Sequence, residues 1–190
     1  KMNTHLYYSV KVTDSKGKVL KKFTRKSRSY VTAYNEMLST QMTVTAESIL
    51  DTGNTARNLT PGSTSDMDCL GAVNNSLYGT VIGTGSTAVT ISDYKLAAQI
   101  AHGTGAGQMS HALASRTASA VVGSTASFTI TRIITNSSGA PIIVAECGIY
   151  SKYAGAGPYY FCLIRDVLTS TISVPNGGSI TIVYTMKATV

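Results

Sequence analysis

The side chains that most often carry out chemistry are few in this chain and lie far apart. Its 190 residues include 3 His, 3 Cys and 9 Asp plus Glu. His102 and His111 flank a glycine-rich stretch without the HExxH spacing of a zinc site. No serine lies in a G-x-S-x-G motif, and the carboxylates are scattered singly. We therefore expect no catalytic residue, no metal site and no cofactor.

Two glycine-rich stretches have the flexibility of a phosphate-binding loop but lack its other features. Residues 83–87 read GTGST, and residues 103–107 read GTGAG. Neither ends in the Lys-Ser or Lys-Thr pair of a P-loop, and neither leads into a helix N-terminus that would direct amides at an anion. We interpret both as flexible turns.

The strongest chemical signal is a cluster of cations. Residues 1–28 contain nine Lys or Arg and one acid, Asp14, whereas the whole chain has a net charge of +7. Such a local cluster is typical of a site that binds an acidic partner. The candidate partner-binding residues are Lys11, Lys18, Lys21, Lys22, Arg25, Lys26 and Arg28.

Three interpretations of these cations stay open. An acidic protein neighbour is favoured. Nucleic acid is a less favoured partner, for which Tyr7, Tyr8, Phe23 and Tyr30 could stack on bases. A solvated hairpin that only improves solubility is the third.

Alternation of polar and apolar residues predicts a hairpin around the cations. Residues 6–13 and 18–26 would be its strands, with Asp14 and Gly17 in the turn. One strand face is expected to be buried and the other basic. Residues 1–28 are thus predicted to form a detachable basic hairpin arm.

The remaining chain is predicted to contain two helices among many short strands. Val31, Tyr34, Leu38 and Met42 are near helical spacing, with Met37 alongside, and predict a helix over 29–42. A second hairpin is expected at 47–50 and 55–59, a long loop at 60–76 and a short helix at 92–100. The main strands, within 77–190, are predicted at 77–82, 88–91, 109–114, 126–135, 141–150, 159–168 and 179–188.

The composition fits one folded β domain. The chain is 43% hydrophobic and 13% charged, too apolar for a disordered polymer. Its many Ser, Thr and Tyr residues favour strands. We predict a single all-β domain over 1–190, a β-sandwich of jelly-roll type with one or two short helices. No apolar run approaches the ~18 residues of a membrane span, so no membrane partner is expected.

The hairpin predicted at 141–150 and 159–168 carries two cysteines. Pairing Tyr150 with Tyr159 would place Cys147 opposite Cys162. With only 3 cysteines in the chain, synthesis in a reducing cytoplasm is expected, which favours two buried thiols over a disulfide. The same register brings Glu146 near Arg165, where an ion pair would stabilise both charges.

Several motifs together resemble the small structural proteins of tailed-bacteriophage particles. They are Val10-Lys11-Val12, Gly83–Thr87 leading into Ser92–Leu96, His102–Gln108, Glu146–Tyr150, Arg165–Leu168 and Pro175–Gly178. The resemblance implies a non-enzymatic virion subunit, made in the host cytoplasm. Its partners would be copies of itself and other virion proteins of the capsid, collar or tail. The alternative is a fibre-tip module that binds a receptor or glycan through Tyr153 and Tyr159 in the loop after 150.

Overall fold

The structure, a computed structural model, describes residues 3–60, 67–155 and 157–190, and strands dominate it. Strands contain 52% of the chain and one helix contains 7%, so the mostly-β prediction is confirmed. The elements are β1 Asn3–Thr13, β2 Val19–Ser27, α1 Thr32–Thr43, β3 Glu47–Leu50, β4 Ala56–Leu59, β5 Gly79–Gly83, β6 Ser110–His111, β7 Ser115–Arg116, β8 Ala120–Val122, β9 Thr125–Thr135, β10 Ile142–Tyr153, β11 Tyr159–Val174 and β12 Ser179–Thr189.

These strands form three antiparallel sheets. The largest has the order β2-β1-β12-β9-β6, with β7 and β8 also paired to β9. The second has the order β11-β10-β5, and β3 pairs with β4 in a third. Buried side chains of the two larger sheets belong to one hydrophobic cluster, which includes Val10 and Ile182 of one sheet and Val144 and Phe161 of the other. Burial alternates along β1, which directs one face of the largest sheet inward, whereas most residues of β5 and β10 are buried on both faces of the second sheet.

The basic hairpin forms as predicted, but it is not a detachable arm. Gly17 has φ +80° and donates its N–H to the Asp14 carbonyl at 3.1 Å, which closes the turn. Beyond this hairpin, β1 pairs with β12 along all eleven of its residues. Leu6 and Val10 are buried on its inner face, so detaching the hairpin would expose part of the core.

The predicted helix forms as α1 but starts three residues later than expected, and its buried face includes Met37 but not Leu38 or Met42. Ala33, Met37 and Thr40 are buried, whereas Met42 is 75% exposed. The Met37 sulfur accepts a hydrogen bond from the Ser151 hydroxyl at 3.1 Å, which fixes this face against β10. The second hairpin is confirmed as β3 and β4.

Three local predictions between residues 77 and 114 are wrong. Residues 92–100 form no helix, 88–91 form no strand, and only Ser110–His111 is a strand within 109–114. The segment before Ala101 instead lies beside β5: Thr84 N–H donates to the Ala98 carbonyl and Ile100 N–H to the Ile82 carbonyl. Tertiary hydrogen bonds therefore override the local helical spacing.

The predicted loop at 60–76 is irregular where it is described. Residues 67–76 contain an isolated bridge between Asp68 and Lys152 and no named strand. Residues 61–66 of this loop lie outside the described part of the chain.

The hairpin of β10 and β11 is confirmed, but its predicted register is wrong. Tyr150 lies opposite Cys162 instead of Tyr159, a shift of three positions, because the strands continue pairing up to Tyr153 and Tyr159. Cys147 consequently lies opposite Asp166, and the two cysteines are on the order of 10 Å apart along the strand, beyond disulfide reach. Both are buried free thiols.

Candidate functional site

The predicted partner-binding cations lie on different sides of the largest sheet. In β1, Lys11 is exposed between the buried Val10 and Val12 and therefore points to the outer face. The registers place Lys22 and Lys26 of β2 on the same outer face, because they lie opposite Lys11 and Tyr7. We call this outer surface of β2, β1, β12 and β9 the basic face.

Lys11 and Lys22 form a like-charge pair across two strands of the basic face. They are directly opposed in the register, and both are exposed. Side chains directly opposed in an antiparallel pair have Cβ atoms about 4.5–5.5 Å apart, and like charges there destabilise the sheet. An anion bound between them would remove this repulsion.

The basic face contains no compensating acid. None of the four described strands that form it contains Asp or Glu. Lys187 of β12 adds a fourth cation, since it lies opposite Ser127 on the side away from the buried Tyr184. Most other side chains on this face carry hydroxyl groups, among them Ser9, Thr24, Thr129, Thr131, Thr181 and Thr185. The face thus presents lysine and hydroxyl donors to an anionic surface.

The other predicted cations are not part of the basic face. Lys21 lies opposite the buried Val12, and its ammonium donates to the Ser170 hydroxyl of β11 at 2.9 Å. The Arg25 guanidinium lies 5.5 Å from the centroid of the Phe23 ring. Lys18 and Arg28 are exposed at the two ends of β2. Sequence reasoning gave all seven cations one role, whereas strand alternation divides them.

The aromatic residues proposed to stack on nucleic-acid bases are also divided. Tyr8 is buried in the core, and Phe23 packs against that core. Tyr30 packs on Tyr34 with ring centroids 4.1 Å apart. Tyr7 is the one member of the set on the basic face, as it lies opposite Lys26 and Thr185.

The loop tyrosines of the alternative glycan site pack against protein. Tyr153 is 5% exposed, and its hydroxyl donates to the Thr60 carbonyl at 3.1 Å. Its ring is nearly parallel to that of Tyr159, with an interplanar angle of 6°. The Arg57 guanidinium lies 4.4 Å from the centroid of the Tyr159 ring. A sugar would therefore meet rings that already have neighbours.

An ion-pair network lies at the centre of the second sheet. The Arg165 Nε–H donates to Glu146 at 2.9 Å, which confirms the predicted pair, and Nη1 donates to Asp93 at 2.6 Å. Burial alone would lower the pKa of Arg165, but its hydrogen bonds to Asp93 and Glu146 raise it. The Glu146 carboxylate also accepts the N–H groups of Gly85, Ala97 and Ala98.

This network explains the first glycine-rich stretch, which is not simply a flexible turn. A Cβ at Gly83 or Gly85 would lie 2.6 or 2.5 Å from a Glu146 oxygen. The glycines therefore let the backbone approach a buried carboxylate. The network links residues 83–98 to β10 and β11. Asp93 and Arg165 also line a pocket of about 300 Å³, in which they are paired with each other.

Arg132 is a second buried cation and has no carboxylate partner among its described contacts. It donates to five carbonyl oxygens, those of Ala72, Asn75, Tyr78, Thr80 and Ala112. Burial lowers the pKa of Arg132 to about 10. The side chain remains charged at neutral pH and organises the backbone of residues 72–80. Its position within the strand predicted at 126–135 gave no indication of this role.

Asp166 links the two larger sheets through a buried cluster. It accepts hydrogen bonds from the Ser27 hydroxyl at 2.8 Å and the Tyr184 hydroxyl at 3.0 Å, and Tyr184 also contacts the Cys147 sulfur at 3.3 Å. Burial raises the pKa of Asp166 and of the Cys147 thiol. A thiol with a raised pKa is a poor nucleophile, so this cluster has a structural role.

His102 and His111 contact each other without forming a metal site. The His111 backbone N–H donates to His102 Nδ1 at 3.1 Å, and the rings are 5.9 Å apart. Burial, assisted by the Arg132 charge, lowers the pKa of His111 to about 4. Within the described residues, no group of three or more His, Cys, Asp or Glu side chains is placed to hold a metal ion.

Comparison of the chain with protein families, characterised proteins and solved structures finds no match.

The one helix in the described part of the chain is too short to span a membrane.

Proposed function

We propose that this chain is a non-enzymatic structural subunit that binds an acidic protein neighbour through the basic face. The observation that carries the proposal is the directly opposed pair Lys11 and Lys22 on strands that contain no acid. The pair is unfavourable in the free protein and favourable against carboxylates. The sheet supports this role, since β1 carries Lys11, pairs with β2 and is itself paired with β12 over eleven residues.

The proposed setting is a tailed-bacteriophage virion, with copies of this chain and other virion proteins as neighbours. The motif resemblance supports this setting, as do hydroxyl-rich strands with little charge. We also propose that the two larger sheets form a β-sandwich. In the chain, β10 and β11 follow β9 and precede β12, yet they form a different sheet from the paired strands β9 and β12. This crossing between sheets supports a sandwich, of which the jelly roll is one form.

Binding to poly-L-glutamate at low and high salt tests the basic face. We expect Lys22→Glu with Lys26→Glu to lower the affinity at least about tenfold. The fold should be retained, because Glu at position 22 replaces the like-charge pair with an ion pair to Lys11. Lys16→Glu with Lys95→Glu, both exposed and outside the strands, makes the same change in net charge and is the matched control. Equal affinities of the two double variants would refute the assignment.

Binding to oligothymidylate distinguishes a nucleic-acid partner. Tighter binding to the oligonucleotide than to poly-L-glutamate, with a log–log salt slope of about −0.7 per phosphate contact, would contradict the acidic-protein proposal. The virion setting is tested separately by mass spectrometry of purified phage particles from the culture that produces the protein. A constant ratio of this chain to the major capsid protein supports the setting, and its absence from the particles contradicts it.

A further inference from the structure

A cavity of about 930 Å³ opens beside the end of the largest sheet where β1 begins and β12 ends. Thr4, Ala126 and Ala188 line it at that end. Protein cores contain few voids larger than a water molecule, whereas small-molecule sites occupy about 300–1,000 Å³. The volume is therefore that of a ligand site.

The walls of the cavity are mainly apolar and come from three sides. Ile130 and Met186 belong to the largest sheet, Leu163 to β11 and Leu38 to α1. Leu38 and Phe128, which also line it, each remain 37% exposed, so apolar surface stays open to solvent. An apolar chain placed there would remove this surface from water.

The charged side chains that line the cavity indicate which polar group a ligand with an apolar chain would carry. Arg116 and Lys187 supply two cations, and Asp68 supplies one carboxylate. The Asp68 Oδ1 already accepts the Leu70 N–H at 2.9 Å. Arg116 is exposed on β7 and lies opposite Ile130 of the apolar wall, so a cation adjoins the space for an alkyl chain.

We propose that this cavity binds a single-chain amphiphile with an anionic head, an alkyl carboxylate. The alkyl chain lies between the sheets, and the carboxylate pairs with Arg116. The cavity borders the basic face at Lys187, but its apolar walls lie on the inner side of the largest sheet. The proposal does not rest on the proposed assembly role.

Isothermal titration of dodecanoate and of 1-dodecanol tests the site. We expect one dodecanoate to bind per chain, and more tightly than 1-dodecanol. Arg116→Gln should weaken dodecanoate about fivefold or more and leave 1-dodecanol unchanged. Equal affinities of the two probes, or a dodecanoate affinity unaffected by Arg116→Gln, would overturn the anionic-head assignment.

Filling the cavity tests its location. Ala126→Trp should abolish binding of both probes, and Ala188→Phe is a second variant should the first fail to fold, as judged by thermal unfolding. Ala112→Trp, exposed and not on the lining, should bind as the unchanged protein does. No saturable binding to the unchanged protein, or binding that survives a folded cavity-filling variant, would refute the site.

Discussion

Buried charged side chains hold the irregular segments of this protein in place. Arg132 gathers five carbonyl oxygens, and Arg165 joins two carboxylates from different parts of the chain. Charge is costly to bury unless its hydrogen bonds are satisfied. Gly71 confirms how tightly Arg132 is enclosed, since a Cβ there would lie 2.5 Å from Nη1.

Replacing Arg132 with Met should destabilise the fold by about 3 kcal/mol or more, because five carbonyls lose their donor. Urea unfolding at pH 7 measures the change. The exposed Arg28→Met is the control and should stay within about 0.5 kcal/mol of the unchanged protein. A decrease in the free energy of unfolding of less than about 1 kcal/mol for Arg132→Met would contradict the structural role.

His111 should make stability depend on pH. Its pKa is about 4 in the folded protein and 6.5 when unfolded, so the unfolded state takes up the proton first. The contribution of His111 to the free energy of unfolding is therefore highest above pH 6.5. It falls by at most about 3 kcal/mol as the pH is lowered to 4. Unfolding free energies across this range should show a shallower slope for His111→Leu. An unchanged slope in His111→Leu would contradict the assignment.

At the scale of elements, the segment at 83–98 depends on one carboxylate. Glu146 accepts three backbone N–H groups from this segment and pairs with Arg165. The segment has no helix or strand of its own beyond the end of β5. Its order therefore comes from tertiary contacts.

Glu146→Gln should loosen this segment, since the amide keeps one acceptor oxygen and loses the charge that faces Arg165. Hydrogen–deuterium exchange should show faster exchange across residues 83–98 and a destabilisation of about 2 kcal/mol. Glu36→Gln on α1 is the matched control. Unchanged exchange in 83–98 would show that other contacts order the segment.

Strands and hairpins with period-two alternation could be predicted from the sequence, as β1, β9 and β12 show. The sequence alone could not exclude the helix predicted at 92–100, because the hydrogen bonds that prevent it come from Glu146 and from residues 82–84 at the end of β5. The ion pair of Glu146 and Arg165 was predicted from a wrong register, since long side chains tolerate a shift that a cysteine pair does not. The sequence did not show which cations share the basic face, because that depends on which side of β2 is buried.

At the scale of the whole molecule, the charge is arranged asymmetrically. Residues outside 1–28 contain seven Lys or Arg and eight Asp or Glu, so the excess positive charge belongs to the first hairpin. Pairing of β1 with β12 makes three of these cations, Lys11, Lys22 and Lys26, part of the basic face. Such a surface attracts an acidic partner at a distance of up to about 8 Å at physiological salt and fixes its orientation on contact.

Chemical-shift mapping with poly-L-glutamate tests the central claim, that the basic face binds acidic partners, most directly. In a ¹⁵N-labelled sample at low salt, we expect the perturbed amides to lie around Lys11, Lys22, Lys26 and Lys187, and the shifts to disappear at high salt. Perturbations confined to other surfaces, such as residues 83–98, or no perturbation at low salt, would contradict the claim.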